Sequence, residues 1–178
     1  KIFYLSFQIS CPIICNGIHK LLVSSEQDLP RWKPRLERLK EMESIYNKEL
    51  MIDPSMCDTT TALGYANTFA LFQDIASEHA QQIGVGGAAM AARNVFWLTV
   101  HTRVQFFKKA YMMQSVTAST WPGLCKPNDR RCFRYYRLMQ DHRLIALAKT
   151  EWAIINTQTG RLCPISDSGF PENFRSEE

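Results

Sequence analysis

Between Asn67 and Ile83 apolar side chains recur at steps of three and four, and in the residues that follow they recur at steps of two. Phe69, Phe72, Ala76, Ala80 and Ile83 draw one stripe along a helix. Asn67 or Thr68 can cap its start, and Gly84 and Gly86 can end it. The period-two runs "VFWLTVHTRVQFF", "MMQSVTASTW", "CFRYYRLMQ" and "RLIALAKTEWAIIN" read as strands. In the first of them Phe96, Leu98 and Val100 face one way and Trp97, Thr99 and His101 the other. Ahead of the helix, "YNKELMID" reads as a further strand and "CDTTTALG" as a polar loop. Pro122 to Arg130 forms a loop, Asp141 and His142 a turn, and "TQTGR" a tight turn into "LCPI". A lone helix has only the sheet against which to bury its stripe.

That order predicts an α+β domain with the hot-dog fold, a long central helix wrapped by a curved antiparallel sheet. Its free edge and second apolar face call for a homodimer or for pairing with a second hot-dog domain. The domain is expected over residues 46–165. Residues 1–45 read as an N-terminal appendage or linker, disordered or foreign to the domain. They include a charged stretch from Ser24 to Met42, with a short helix expected from Pro34 to Met42. They also include a mostly apolar run, Ile2 to Ile18, that Ser6, Gln8, Pro12 and Asn16 make too polar and short for a membrane span. Residues 166–178 read as a C-terminal tail or a linker to a second half.

The length of 178 residues suits one domain, and 46% hydrophobic with 21% charged residues is a globular balance. The net charge of +4 suits an acidic partner but is too small to argue for nucleic acid. Six cysteines include no CxxC pair. Cys11, Cys15 and His19 are spaced for one helix face but lack a fourth ligand, so no metal is expected. Reduced thiols in a cytoplasmic protein are the expectation. "GVGGAA", Gly84 to Ala89, fits GxGxxA but follows a helix instead of a strand, so no dinucleotide is expected. There is no GxSxG elbow, phosphate loop or HExxH.

Polar groups on the helix carry more information. "FQDIASEHA" puts Gln73, Asp74, Ser77, Glu78 and His79 within two turns. Gln73 lies beside the apolar stripe and His79 on it. A polar group aimed at an apolar pocket costs free energy unless bonded. Such groups fit either the gripping of a substrate carbonyl or a structural helix-to-loop bond. Asp74 and Glu78 are candidate catalytic acids or solvated charges. Asp58 is a candidate general base and Asn67 a candidate to orient water; the alternatives are a turn and a helix cap. His101 and His142 have little to recommend them. Lys126, Arg130, Arg131, Arg134 and Arg137 cluster late, interleaved with Phe133, Tyr135 and Tyr136. Arg134 and Tyr136 fall on one strand face, Tyr135 and Arg137 on the other. The cluster reads as a solvated strand with a basic loop or as a docking patch for an acidic partner.

Taken together, "ALFQDIASEHAQQIGVG", "NVFWLTVHTRVQF", "VTASTWPG" and "RRCFRYYRLMQDHRLIALAKTEWAIINTQTGRLCPI" resemble the N-terminal hot-dog half of acyl-acyl carrier protein thioesterases, especially the bacterial members. Gln73, Asp74, Ala76, His79, Trp97, Arg103, Thr120, Trp121, Pro122, Trp152 and Arg161 stand at the places of that pattern. The resemblance implies a thioester hydrolase that releases free fatty acid from acyl carrier protein in fatty acid biosynthesis, with no metal or organic cofactor. It implies an acidic carrier docked on a basic surface and an acyl tail between helix and sheet, lined by Phe69, Phe72, Ala76 and Met90. The family usually carries two halves, with the catalytic Asp, Asn and His mainly in the second. That half's Asp-x-x-x-His-Val-Asn-Asn type motif is absent here, and "DTTTALGYAN" is its nearest echo. Two readings follow. Asp58, Asn67, Gln73, Asp74, Glu78 and His79 serve catalysis in this chain, or the chain is a non-catalytic acyl-binding half of a two-domain enzyme.

Overall fold

The computed structural model describes residues 45–171. Cys11, Cys15, His19, the helix expected from Pro34 to Met42 and residues 172–178 lie outside that range.

Strand β1 (Tyr46–Met51) alternates half-buried and exposed side chains, as a strand with one covered face must. A loop leads to helix α1 (Tyr65–Gln82), followed by a short helix α2 (Gly87–Ala92) and then strands β2 (Val95–Phe106), β3 (Ser115–Pro122), β4 (Arg131–Gln140), β5 (Arg143–Asn156) and β6 (Leu162–Cys163). The strands form one antiparallel sheet in the order β1-β3-β4-β5-β2, with β6 added beside β5. Helix α1 crosses its inner face, packed on β3 and β1. This is the hot-dog arrangement that the sequence predicts.

The helix begins earlier than expected. Gly64 is its N-cap and no side chain caps it; Thr68 is buried and its hydroxyl donates back to the Gly64 carbonyl at 3.0 Å. Neither Thr68 nor Asn67 is the cap, because Tyr65 and Ala66 continue the helix outward at little cost. The other end follows the chemistry of glycine. Gly84 sits at φ +78°, Val85 N–H donates to Ala80 O, and Gly84 N–H donates to Gln81 O. This is a Schellman closure. Gly86 does not end α1. It is the N-cap of α2, and a Cβ there would lie 2.9 Å from Gln81 Cα. The glycine lets the chain cross close over the last turn of α1.

Strand β2 departs from strict alternation. Thr99 pairs with Trp152 and His101 with Glu151, so Val100 is an extra residue in a bulge. Val95 is buried before the bulge, and Thr102 and Val104 after it. The bulge therefore turns His101 away from the face of Trp97 and Thr99, contrary to the expected pattern.

Two apolar clusters fill the interior. One joins Phe69, Phe72 and Ile75 of α1 to Val104, Val116, Tyr136, Leu138 and Ile145. The other gathers Val85, Met90, Val95, Cys132, Ile154, Ile165 and Phe170, with Trp97 and Trp152 against it. The packed chain thus continues past Ile165: Ser168 and Phe170 are buried as well. Cys57, Cys125, Cys132 and Cys163 are free thiols.

Candidate functional site

The second cluster leaves a cavity of about 380 Å³ between the C-terminal half of α1, the turn into α2, and strands β2, β4 and β5. Ala76, Ser77 and Ala80 of α1, Met90 of α2, Trp97, Cys132, Arg134 and Trp152 stand on its wall. The wall is largely apolar and carries no carboxylate. Of the four side chains expected to line an acyl slot, Ala76 and Met90 do. Phe69 and Phe72 belong to the other cluster, where the Phe72 ring lies 5.0 Å from that of Tyr136.

Strand alternation places Cys132, Arg134, Tyr136 and Leu138 on the inner face of β4. Arg134 is therefore buried, only 7% exposed, and is not part of a surface patch. Its Nη1 donates to His79 Nδ1 at 3.0 Å and to Thr120 Oγ1 at 3.3 Å. Among the described residues no carboxylate pairs with it. Burial lowers the pKa of the guanidinium, which still stays charged in any accessible range. The other basic side chains of the cluster are exposed: Lys126, Arg130, Arg131 and Arg137. Arg131 pairs with Glu151 at 2.7 Å. On the outer sheet face Lys149 lies 3.7 Å above the Phe133 ring.

His79 is 4% exposed and stacks on Tyr46, centroids 5.8 Å apart. Burial, and then the neighbouring Arg134 charge, lower its pKa to about 4. Because Nδ1 accepts from Arg134, the ring proton resides on Nε2. Near neutral pH this imidazole is a neutral donor, not a base. Glu78, one residue before it, binds Lys48 Nζ and accepts from Tyr46 Oη at 2.6 Å. Those two bonds lower its pKa, Lys48 first. Asp74 is exposed one turn away and adds to the field that raises the Lys48 pKa. Gln73 is half-buried, and its backbone carbonyl, not its side-chain amide, accepts from the Ser77 hydroxyl at 2.9 Å.

Asp58 and Asn67 stand apart from this group. Asn67 is in the first turn of α1, twelve residues before His79, or about 18 Å along the axis. Asp58 is exposed, and its Oδ1 accepts from Thr60 Oγ1, Thr60 N–H and Ala62 N–H. The Thr60 bonds lower its pKa first of all. The arrangement is a loop-closing turn.

The cavity wall thus offers a cation, a neutral imidazole behind it, the hydroxyls of Ser77 and Thr157 and an apolar lining. The Cys132 thiol is pushed up to about 12 by burial, so no thiolate nucleophile forms there. Among the described residues no group of three or more His, Cys, Asp or Glu is placed to hold a metal ion. No helix among them is long and apolar enough to cross a membrane. Arg134 is the member that motif reading misses, although the alternation with Tyr136 and Leu138 already turns it inward.

Residues 43–171 match the model of the acyl-ACP thioesterase N-terminal domain. No curated protein matches in sequence. Among solved structures, an acyl-ACP thioesterase from Bacteroides thetaiotaomicron superposes with a TM-score of 0.69 at 19% identity, over 78% of this chain and 56% of that one. A protein of Lactobacillus plantarum described as an oleoyl thioesterase gives 0.65 at 15%, over 68% and 47%. The DHNA-CoA thioesterase of Staphylococcus aureus gives 0.61 at 16%, over 68% and 80%. The chain spans about half the length of the first two.

Proposed function

The chain belongs to the acyl-ACP thioesterase N-terminal domain family, and from that premise we propose that it holds the acyl chain in a hydrolase releasing free fatty acid from acyl carrier protein during fatty acid biosynthesis. The observation that carries this reading is the apolar cavity between the helix and the sheet, of a size ordinary for small-ligand sites (about 300–1,000 Å³). Hydrolysis needs water activated by a base, and donors for the oxyanion that forms on the carbonyl. The cavity wall has no acid, and His79 is protonated only far below neutrality. Those two facts favour the second form of the reading, in which this unit binds the tail while a paired hot-dog unit brings the base. Pairing is with a second copy or a second domain. The reaction uses no metal or organic cofactor. The acidic carrier docks on exposed basic groups, with Lys126, Arg130 and Arg137 as candidates, and free thiols suit a cytoplasmic setting.

The test compares acyl-ACP and acyl-CoA substrates of equal acyl length, with acyl binding measured alongside turnover. Hydrolysis that prefers the carrier-bound form supports the full reading. Binding of the acyl chain without turnover supports the acyl-holding form. A protein that neither binds nor hydrolyses acyl thioesters overturns both.

A further inference from the structure

Arg134 carries a buried positive charge that the described protein does not neutralise. Its guanidinium has five N–H donors, and both of its hydrogen bonds leave from Nη1. Nε and Nη2 make none among the described residues. The acceptors that Nη1 does reach, an imidazole nitrogen and a hydroxyl, are both neutral. A buried cation without a counter-charge is expensive, and what offsets the cost is an anion. Arg134 stands on the cavity wall. Trp152 lines the same cavity, with its buried indole N–H turned toward the Tyr136 hydroxyl. Register explains the grouping. Arg134 pairs with Thr150 and Cys132 with Trp152 across β4 and β5, so the Arg134 and Trp152 side chains are diagonal neighbours on one face.

We propose that the cavity is a binding site for an aliphatic carboxylic acid, with Arg134 as counter-ion to the carboxylate and the apolar wall around the tail. A carboxylate suits the two uncommitted nitrogens because Nε and Nη2 form one edge of the guanidinium fork, which matches two oxygens. A phosphate dianion would need more cationic charge than one arginine, and the wall has no second cation. The aliphatic nature of the tail rests on the thioesterase reading; the anion site rests on Arg134 alone. For a fatty-acid-releasing enzyme the consequence is retention of product.

The experiment titrates the full chain with decanoate and, separately, with decanol, by calorimetry or by quenching of Trp97 and Trp152. Decanoate is expected to bind at least about ten-fold tighter than decanol, the least that hydrogen bonds to a charged group contribute. Arg134→Met abolishes that preference and leaves decanol affinity where it was. Arg134→Lys keeps the charge without the fork and retains part of the preference. Circular dichroism confirms that each variant is folded, and if Arg134→Met does not fold, the wild-type and Arg134→Lys titrations decide. Equal affinity for the acid and the alcohol overturns the proposal, as does a decanoate affinity that survives Arg134→Met. The result is independent of turnover. Carboxylate binding without hydrolysis leaves the site standing and sinks catalysis by this chain. Hydrolysis with no Arg134-dependent binding does the reverse.

Discussion

At Nδ1 of His79 the ring accepts from a guanidinium that does not deprotonate, so a second proton on the imidazole must displace that bond and face a like charge. This makes His79 a liability in acid. Its folded pKa is about 4 against an ordinary 6.5. Above pH 6.5 neither folded nor unfolded chain holds the proton, and nothing is lost. As pH falls from 6.5 towards 4, the unfolded chain takes up a proton that the folded chain refuses. Stability then declines by about 3 kcal/mol over the window and levels off below it. Urea unfolding between pH 4 and 8 is expected to show this fall in the wild type. A His79→Gln variant, whose amide oxygen can still accept from Arg134, should be flatter by that amount. The acids that titrate near the lower end act on both proteins and cancel in the difference. Parallel curves would mean that His79 is not the buried neutral group the geometry makes it. At this scale the sequence is informative about burial and poor about partners. The stripe that places His79 inward can be read from spacing. Its bond to Arg134 joins residues 55 apart in the chain, and no local pattern contains it.

Among the elements, the turn after α1 separates two glycines that look alike in the sequence. Gly84 has a left-handed backbone and open space around its missing Cβ. Gly86 has an ordinary φ of −71°, and a Cβ there would meet Gln81 at its Cα. Gly84→Ala should therefore cost about 1 kcal/mol, the strain of the left-handed conformation alone. Gly86→Ala should cost more, about 2 kcal/mol, because backbone must move. Thermal unfolding of the two variants checks the order. If Gly84→Ala is the worse, the crossing over Gln81 is looser than it looks. The helix, the strands and their inner faces follow from period and turn chemistry. The bulge at Val100 and the short helix α2 do not. A bulge is decided by how the partner strand pairs, and "GAAMAA" has too few residues to show a period.

Across the whole molecule, the division into two apolar clusters decides what each core residue does. Phe72 is fully buried against Tyr136, and neither side chain reaches the cavity wall. Phe72→Ala should destabilise by about 3–5 kcal/mol through the void it leaves, and should not alter the preference among acyl lengths. Ala80 is half-buried on the cavity wall. Ala80→Phe adds a ring to empty space, so its stability should change little, while the longest acyl chains lose the room they occupy. Affinity for a ladder of saturated fatty acids is expected to shift towards shorter members in Ala80→Phe and to keep its shape in Phe72→Ala. The contrast matters because sequence periodicity puts Phe69, Phe72, Ala76 and Ala80 on one stripe and cannot say where along it packing gives way to space. The position of the void is set by β2, β4 and β5 meeting the turn into α2, which are contacts made only once the chain has folded. If the ladder shifts with Phe72→Ala and not with Ala80→Phe, the tail lies along the first cluster, and the cavity beside Arg134 serves some other end.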